Sequence, residues 1–374
     1  MSGFKNYATS FEIMRRAKAL LKRGEALDRA RRKVSGKVAR LRSSTGRHEV
    51  SREDVPVFFV VGFPKSGTTW LMRTLNAHPE ILCRGEGRFF GRHWKLEGLR
   101  DVHGNMQASS LYNALAESEY LRLWIERSVW SREDDPEEHL RNLTRLAVNY
   151  FLTEKLAKSG KRMVGDKTPL SGPNIIREIS EIYPEARVVH VIRDGRDTAV
   201  SRVHHNWNRA IDKGGIKSFT PEELQKRDRY RKDPEEFLAS GESIFTEKLV
   251  RQSAEIWDSR TRAAHRDGPS LLKGNYAEVR YEDLLERPEE EFGRLFEFLG
   301  ARAGEKTVAR CVKATSFERR SGGRSRGQED AGSGMRKGIA GDWANVFTGW
   351  DKEIYKKIAG DLLVELGYEK DNNW

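Results

Sequence analysis

One short turn in this chain combines the residue types that could bind a phosphate group. Residues 62–69 read G-F-P-K-S-G-T-T, with one lysine at Lys65 and two glycines, Gly62 and Gly67. The turn follows an apolar run at residues 57–61 and leads into an amphipathic stretch at residues 70–77. Strand, glycine-containing turn and helix in that order predict an anion site, because backbone N–H groups and the positive end of the helix dipole converge there. We call residues 62–69 the phosphate turn.

The phosphate turn departs from the loop of nucleotide kinases in one informative way. Its glycines keep the spacing of G-x-x-x-x-G-K-[ST], but Thr68 stands in the lysine position and Lys65 lies three residues earlier. In kinases that lysine reaches the β- and γ-phosphates, and the following hydroxyl binds Mg²⁺. The change favours a nucleotide with a single group at its 5′ side and no γ-phosphate. A turn whose glycines serve only the bend is the alternative interpretation.

Three segments of the chain together resemble the PAPS-dependent sulfotransferases, where PAPS is 3′-phosphoadenosine 5′-phosphosulfate. The segment P-K-S-G-T-T-W, residues 64–70, resembles their 5′-phosphosulfate loop residue for residue. Their second signature is a strand, an arginine and a serine eight residues later, which Arg193 and Ser201 match after the apolar run R-V-V-H-V-I. Their third, R-K-G-x-x-G-D-W, matches residues 336–343, which we call the strap. Arg193 could instead simply pair with Asp197.

The resemblance implies which residues bind PAPS. Arg193, Ser201 and the strap are expected to bind the 3′-phosphate, because an arginine can hold a phosphate bidentately and a serine donates a neutral hydrogen bond. Trp70 is expected to stack on the adenine, since an aromatic face suits a flat base. The full implied donor set is Lys65, Ser66, Gly67, Thr68, Thr69, Trp70, Arg193, Ser201, Tyr281, Thr315, Phe317, Arg336, Lys337 and Gly338.

Sulfuryl transfer requires a cation on the departing oxygen, a base for the acceptor's proton and in-line placement. Lys65 is the candidate cation, and Lys167 is expected to neutralise charge on the sulfuryl oxygens. Many cytosolic relatives use a histidine base within K-T-H, whereas residues 167–169 here read K-T-P. Protein-tyrosine and some carbohydrate sulfotransferases use a glutamate within C-G-E-E-T-R, which C-R-G-E-G-R at residues 83–88 resembles.

The resemblance therefore places the general base at Glu86, with Arg88 beside it as a substrate-binding residue. Lys65 and Arg88 are expected to lower the pKa of Glu86, so the carboxylate is ionised and accepts a proton only as the acceptor becomes acidic. An exposed glutamate that pairs with Arg84 or Arg88 is the alternative. His204 and His205 are interpreted as structural residues.

The predicted reaction moves a sulfuryl group from PAPS to a hydroxyl or amine, without a metal, and releases adenosine 3′,5′-bisphosphate. A carbohydrate, a lipid, a small molecule or a tyrosine-bearing peptide is compatible as the acceptor. A small-molecule kinase and a non-catalytic nucleotide-binding scaffold are the two rival functions. ATP-dependent product would reveal the kinase, and nucleotide binding without transfer would reveal the scaffold.

The elements that position these residues predict an α/β fold with a central, mainly parallel sheet and helices on both faces. Short strands are predicted at residues 162–165, 187–192 and 277–281, in addition to residues 57–61. Helices are predicted at residues 70–77, 111–129, 137–158, 173–183, 288–299 and 352–366, and a helix through Ser201 follows the turn at Arg193. Residues 206–250 are expected to form a lid or surface helices, and residues 318–341 a long loop.

Composition divides the 374 residues into a basic arm at residues 1–51 and a body at residues 52–374, which the resemblance implies is a sulfotransferase domain. The first 50 residues hold 14 Lys or Arg and 4 Asp or Glu, so this segment carries +10 of the net charge of +12. Apolar positions recur every three or four residues over residues 3–45, which predicts a basic amphipathic helix. Such a helix could contact an anionic membrane surface peripherally, or simply face water. Sparse aromatic residues argue against nucleic acid as a partner.

The sequence further predicts a cytoplasmic protein. It contains no apolar run near the ~20 residues of a membrane helix and no signal-peptide core. Its two cysteines, Cys83 and Cys311, lack the spacing of a disulfide framework or a metal site, which fits a reducing compartment.

Overall fold

Five parallel strands form the centre of the molecule in the computed structural model, which describes residues 56–91, 110–212 and 219–374. The strands are β1 (Val57–Gly62), β2 (Ile81–Gly85), β3 (Met163–Pro169), β4 (Arg187–Ile192) and β5 (Tyr276–Arg280), in the sheet order β2-β3-β1-β4-β5. The chain moves outward to β2 on one side of β1 and to β4 and β5 on the other. The crevice beside β1 and β4 is therefore a topological switch point, where open α/β sheets bind ligands.

The register brings the ends of the strands to one level. Gly62 at the end of β1 pairs with Pro169 of β3 and with Val191 of β4, and Gly85 at the end of β2 pairs with Lys167. The residues that follow the strands consequently lie along one edge of the sheet.

Helices cover both faces of the sheet. In chain order they are α1 (Thr68–Ala77), α2 (Leu111–Ala116), α3 (Glu119–Arg127), α4 (Pro136–Ala157), α5 (Ile175–Ile182), α6 (Gly195–Asp212), α7 (Pro221–Lys232), α8 (Pro234–Ala239), α9 (Glu247–Leu272), α10 (Tyr281–Glu286), α11 (Pro288–Phe298), α12 (Glu305–Ala314), α13 (Phe317–Arg320), α14 (Trp343–Val346) and α15 (Gly349–Glu365). A 3₁₀ turn, Lys273–Asn275, joins α9 to β5. No helix within these described ranges is long and apolar enough to span a bilayer.

Side chains on the two faces of β1 pack into two different hydrophobic cores. Phe59 and Val61 belong to a core shared with α4 and α5, whereas Phe58 and Val60 belong to one shared with α1, α11 and α12. A strand covered on both faces must be apolar throughout, which explains the continuous apolar run of the sequence.

Several predicted elements differ from the structure. The helix predicted over residues 111–129 is two helices. The first ends at Ala116, and Ser118 caps the second, its hydroxyl accepting from the Leu121 N–H at 3.3 Å. Strand β2 was not among the predicted strands. Residues 206–250 contain the rest of α6, then α7, α8 and the start of α9, and the loop predicted from residue 318 begins after α13. The predicted basic helix at residues 3–45 lies outside the described residues.

Candidate active site

The phosphate turn joins the end of β1 to the start of α1 in a conformation that leaves a polar group without a protein partner. Gly67 caps the helix with φ 90°, and Lys65 also has a left-handed backbone with φ 79°. A Cβ atom at Gly67 would lie 2.4 Å from the Tyr281 ring, so both φ and space require glycine. The buried hydroxyl of Ser66 has no hydrogen-bond partner in the described structure. An unpartnered buried hydroxyl inside such a turn fits an anion acceptor that completes the site.

Lys65 is a half-buried cation that no carboxylate in the described ranges pairs with. Burial lowers the pKa of its ammonium group, and the positive charges of Arg193 and Lys167 lower it further. Three cations thus surround the turn, an arrangement that costs free energy unless an anion binds among them.

Arg193 connects the phosphate turn to the strap. Directly after β4, its Nη1 donates to the Lys65 carbonyl at 3.1 Å and its Nη2 donates to the Ile339 carbonyl at 3.2 Å. Its guanidinium lies 4.2 Å from the centroid of the Tyr281 ring. The three segments that resemble the sulfotransferase signatures therefore meet in one crevice.

Asp197, on the first turn of α6, holds the strap against this corner. Its carboxylate accepts from the Gly341 N–H at 2.8 Å and from the Trp343 N–H at 2.9 Å, and it also pairs with Arg193 at 3.3 Å. The alternative pairing of Arg193 with Asp197 thus does occur, alongside the contacts of Arg193 to the turn and the strap. Sequence reasoning had given Asp197 no role beyond that pair.

The two basic side chains of the strap are already paired with carboxylates. Arg336 contacts Glu329 at 2.9 Å and also pairs with Asp342, and Lys337 lies 3.0 Å from each of the same two residues. Gly338 has φ 67°, and a Cβ atom there would lie 2.3 Å from the Phe317 ring. The predicted phosphate ligands of the strap are therefore held in position by acids that the sequence analysis did not single out.

The predicted base lies at the neighbouring strand end. Glu86 follows β2 with φ 61°, and the buried Lys167 of β3 donates to its carboxylate. This hydrogen bond is the main reason that the pKa of Glu86 is lowered, with the charges of Lys167, Arg88 and His205 adding to it. The predicted direction of the pKa shift is thus correct, but its main cause is Lys167 rather than Lys65. His205, interpreted as structural, has an electrostatic influence on Glu86.

Asp166 fixes the loop that carries Glu86. It is buried in β3 and accepts from the Gly87 N–H at 3.0 Å and from the Thr168 hydroxyl at 2.8 Å. Burial raises the pKa of Asp166, while those two hydrogen bonds lower it. The sequence offered only its position beside Lys167 as a signal.

Trp70, predicted to stack on adenine, packs against Tyr281 of the predicted donor set at the start of α1. Trp70 is half-buried and its ring meets those of Tyr281 and Phe292 edge to face, at centroid distances of 6.1 and 5.8 Å. Thr315 behaves differently, because its buried hydroxyl lies 2.7 Å from that of Thr74 and serves helix packing. Ser201 lies half-buried on α6. Three positions later, the His204 ring packs against Trp207 and Tyr230.

The phosphate turn, Arg193 and the strap meet in one crevice at the switch point of the sheet, where open α/β folds bind their ligands. Residues 56–367 match the family model of the sulfotransferase domain, so the chain belongs to the sulfotransferase family. The resemblance inferred from the three signatures is confirmed. In the described ranges, no group of three or more His, Cys, Asp or Glu side chains could hold a metal ion.

Protein-tyrosine sulfotransferases are among the relatives. The chain is 25% identical to "Protein-tyrosine sulfotransferase" of Drosophila melanogaster over 66% of its length and 38% of that protein's. It is 24% identical to "Protein-tyrosine sulfotransferase A" of Caenorhabditis elegans over 69% of its length and 52% of that protein's. The match thus spans about half or less of these relatives. Among solved structures, mouse sulfotransferase SULT7A1 complexed with PAP has a TM-score of 0.46 at 15% identity, over 82% of this chain and 84% of that one.

Proposed function

We propose that this protein transfers the sulfuryl group of PAPS to an acceptor hydroxyl or amine and releases adenosine 3′,5′-bisphosphate. The carrying observation is that Lys65, repelled by Arg193 and Lys167, pairs with no carboxylate in the described ranges, where the adjacent Ser66 hydroxyl also has no partner. A bound 5′-phosphosulfate would remove both deficits, since it supplies the negative charge and the hydrogen-bond acceptors that the phosphate turn lacks.

The proposed roles on the donor side follow from position. Lys65 stabilises the charge that develops on the bridging oxygen, with help from the backbone N–H groups of the phosphate turn. Arg193, Ser201 and the strap bind the 3′-phosphate. For Arg336 and Lys337 this requires exchange or sharing of the carboxylates of Glu329 and Asp342, because both cations are already paired.

Glu86 is the proposed general base. Its hydrogen bond from Lys167 and its lowered pKa keep the carboxylate ionised at neutral pH. A carboxylate of low pKa is a weak base, so it accepts the acceptor's proton late, as the oxygen–sulfur bond forms in line with the departing oxygen. Lys167 contacts Glu86 and repels Lys65, so it is close both to the proposed base and to the cation on the departing oxygen. From there it can neutralise charge on the sulfuryl oxygens.

A tyrosine hydroxyl of a peptide is the acceptor that we favour, because the relatives are protein-tyrosine sulfotransferases and because Glu86 matches the base position of that resemblance. Carbohydrate, lipid and small-molecule acceptors are to be tested with it. Protein cations are proposed to do the work that Mg²⁺ does in kinases, so transfer is expected to survive chelation.

Two measurements test the proposal. Calorimetric titration with adenosine 3′,5′-bisphosphate should show one site per chain, and ADP should bind at least tenfold more weakly because it lacks the 3′-phosphate. Transfer of label from ³⁵S-PAPS to a tyrosine peptide, with and without EDTA, should give product in both cases. Absence of bisphosphate binding would reject the donor. Binding without transfer to any acceptor class would support the scaffold, and label from γ-³²P-ATP in the product would support the kinase.

A further inference from the structure

Two arginines that none of the proposed steps uses lie at the same edge of the sheet. Arg202 follows Ser201 on α6, and its guanidinium lies 5.9 Å from the centroid of the Phe63 ring. Arg260 is on α9, and its Nη1 donates to the Leu170 carbonyl at 3.0 Å. We call Arg202 and Arg260 the basic pair.

The two contacts of the basic pair are close together in the fold. The Leu170 N–H donates to the Gly62 carbonyl at 3.0 Å, so the residues that follow β1 and β3 are directly joined. Phe63 is two positions before Lys65, and Leu170 is three positions after Lys167. Both guanidinium groups therefore lie near the strand ends that carry the proposed transfer residues.

The charges of the basic pair are uncompensated. Both side chains are half-buried, and neither has a carboxylate partner in the part of the chain that the structure describes. Burial lowers the pKa of each guanidinium, and the charge of Arg202 lowers that of Arg260 further. The buried Arg196 differs, because it forms ion pairs with Asp194 and Glu369. Two half-buried cations that repel each other and pair with no described carboxylate are typical of an anion-binding subsite before its ligand binds.

The position of Arg260 on the sheet indicates whether the bound anion belongs to the donor or to the acceptor. The proposed donor residues follow β1, β4 and β5, whereas Glu86 follows β2 and Lys167 lies in β3. Arg260 contacts the end of β3, on the side of the proposed base. The donor's 3′-phosphate has its own arginine at Arg193, which lies on the other side of β1.

We propose that Arg202 and Arg260 form a subsite for an anionic group of the acceptor, a carboxylate or a sulfate near the hydroxyl that receives the sulfuryl group. This proposal rests on the proposed function, since it names the class of acceptor for the same site. It predicts that negatively charged acceptors are preferred over neutral molecules of the same shape.

The test uses 4-hydroxyphenylacetate and its methyl ester, two phenols that differ in charge. Each is titrated calorimetrically into protein saturated with adenosine 3′,5′-bisphosphate, so that the donor site is filled and cannot take up the probe. The wild-type protein should bind the acid at least about tenfold more tightly than the ester, which is the gain expected of one charge-assisted hydrogen bond. In Arg202→Gln and Arg260→Gln that preference should fall below about twofold.

Bisphosphate affinity is measured in the same variants and separates the possible outcomes. Unchanged affinity in both variants, together with loss of the acid preference, supports the subsite and shows that the crevice is folded. Arg251→Gln is the matched control, because Arg251 is on the same helix and pairs with Glu247 at the surface; it should keep the acid preference.

Three results would overturn the subsite. They are equal binding of acid and ester by the wild type, retention of the acid preference by Arg202→Gln, and weaker bisphosphate binding in Arg202→Gln, which would assign this arginine to the donor. Arg202→Gln is decisive if Arg260→Gln misfolds, since Arg202 donates no hydrogen bond to any residue that the structure describes. Wild-type protein that binds no bisphosphate would instead reject the proposed function itself.

Discussion

Replacing Lys65 by methionine should make the protein more stable and less active at the same time. Lys65 forms no ion pair in the described ranges and is repelled by Arg193 and Lys167, so its removal breaks no attraction. Methionine is unbranched like lysine, so the left-handed backbone at φ 79° is strained to a similar degree by either residue. We expect the thermal midpoint of the nucleotide-free protein to rise by roughly 1–3 °C, the shift produced by about 1 kcal/mol in a domain of this size.

The loss of activity follows from the charge that Lys65 would supply in the transition state. Two unit charges about 4 Å apart interact by about 4 kcal/mol at the effective dielectric constant of a protein surface. Since each 1.36 kcal/mol changes a rate about tenfold, the transfer rate should fall by about 10²- to 10³-fold. Affinity for unreacted PAPS should fall less, by about tenfold, because the bridging oxygen gains its charge only during transfer.

Scanning fluorimetry and initial rates with ³⁵S-PAPS measure the two effects. Lys337→Met is the comparison variant, because Lys337 contacts both Glu329 and Asp342 at 3.0 Å and its loss should lower the thermal midpoint by roughly 2–4 °C. If Lys65→Met is destabilised as Lys337→Met is, or if it transfers at the wild-type rate, the account of the phosphate turn as an unmet anion site is wrong.

Three further predictions concern the base, the strap and the stability at different pH values. Glu86→Gln should cut turnover by about 10²-fold or more with unchanged calorimetric affinity for the bisphosphate, and normal turnover would move the base elsewhere. Gly338→Ala should weaken bisphosphate binding, because the new Cβ would lie 2.3 Å from the Phe317 ring at φ 67°; unaltered affinity would show that the strap is not closed on the nucleotide. Burial alone would raise the pKa of Glu278, but hydrogen bonds from His190 and His265 lower it to about 2, and the hydrogen bond to Glu278 raises the pKa of His265. The ion pair therefore stabilises the fold above the unfolded pKa of the acid and is lost as pH rises through the raised pKa of His265. In urea unfolding, His265→Gln should cost more stability at pH 5.5 than at pH 8.5, and an equal cost at both would contradict the pair.

Four of the five strands could be predicted because their signals are local, whereas β2 was missed. An apolar run such as R-V-V-H-V-I reads directly as a buried strand, and the residue that follows it, Arg193, must then lie at the carboxyl edge of the sheet. The same reasoning placed Lys65 and Lys167 at that edge. Parallel strands in register turn such separate local signals into one site.

Other features were missed because they depend on contacts between distant parts of the chain. The carboxylates of Glu329 and Asp342 hold the strap through pairs that the fold alone creates, and the hydrogen bond of Asp197 to Gly341 joins residues 144 positions apart. Helix α9 was a different omission, because its buried Val250, Ala254 and Trp257 recur at helical spacing and could have been found.

Because of Arg193, formation of the crevice depends on residues that are far apart in the sequence. Its guanidinium reaches a carbonyl 128 residues before it and another 146 residues after it, so the first and last thirds of the domain are needed to satisfy one nearly buried charge. A chain cut before the strap would leave that charge with fewer partners, because the Ile339 carbonyl would be absent. Affinity for the nucleotide should therefore report whether synthesis and folding of the whole domain are complete, and a nascent chain that lacks its final segment should be unable to engage the donor.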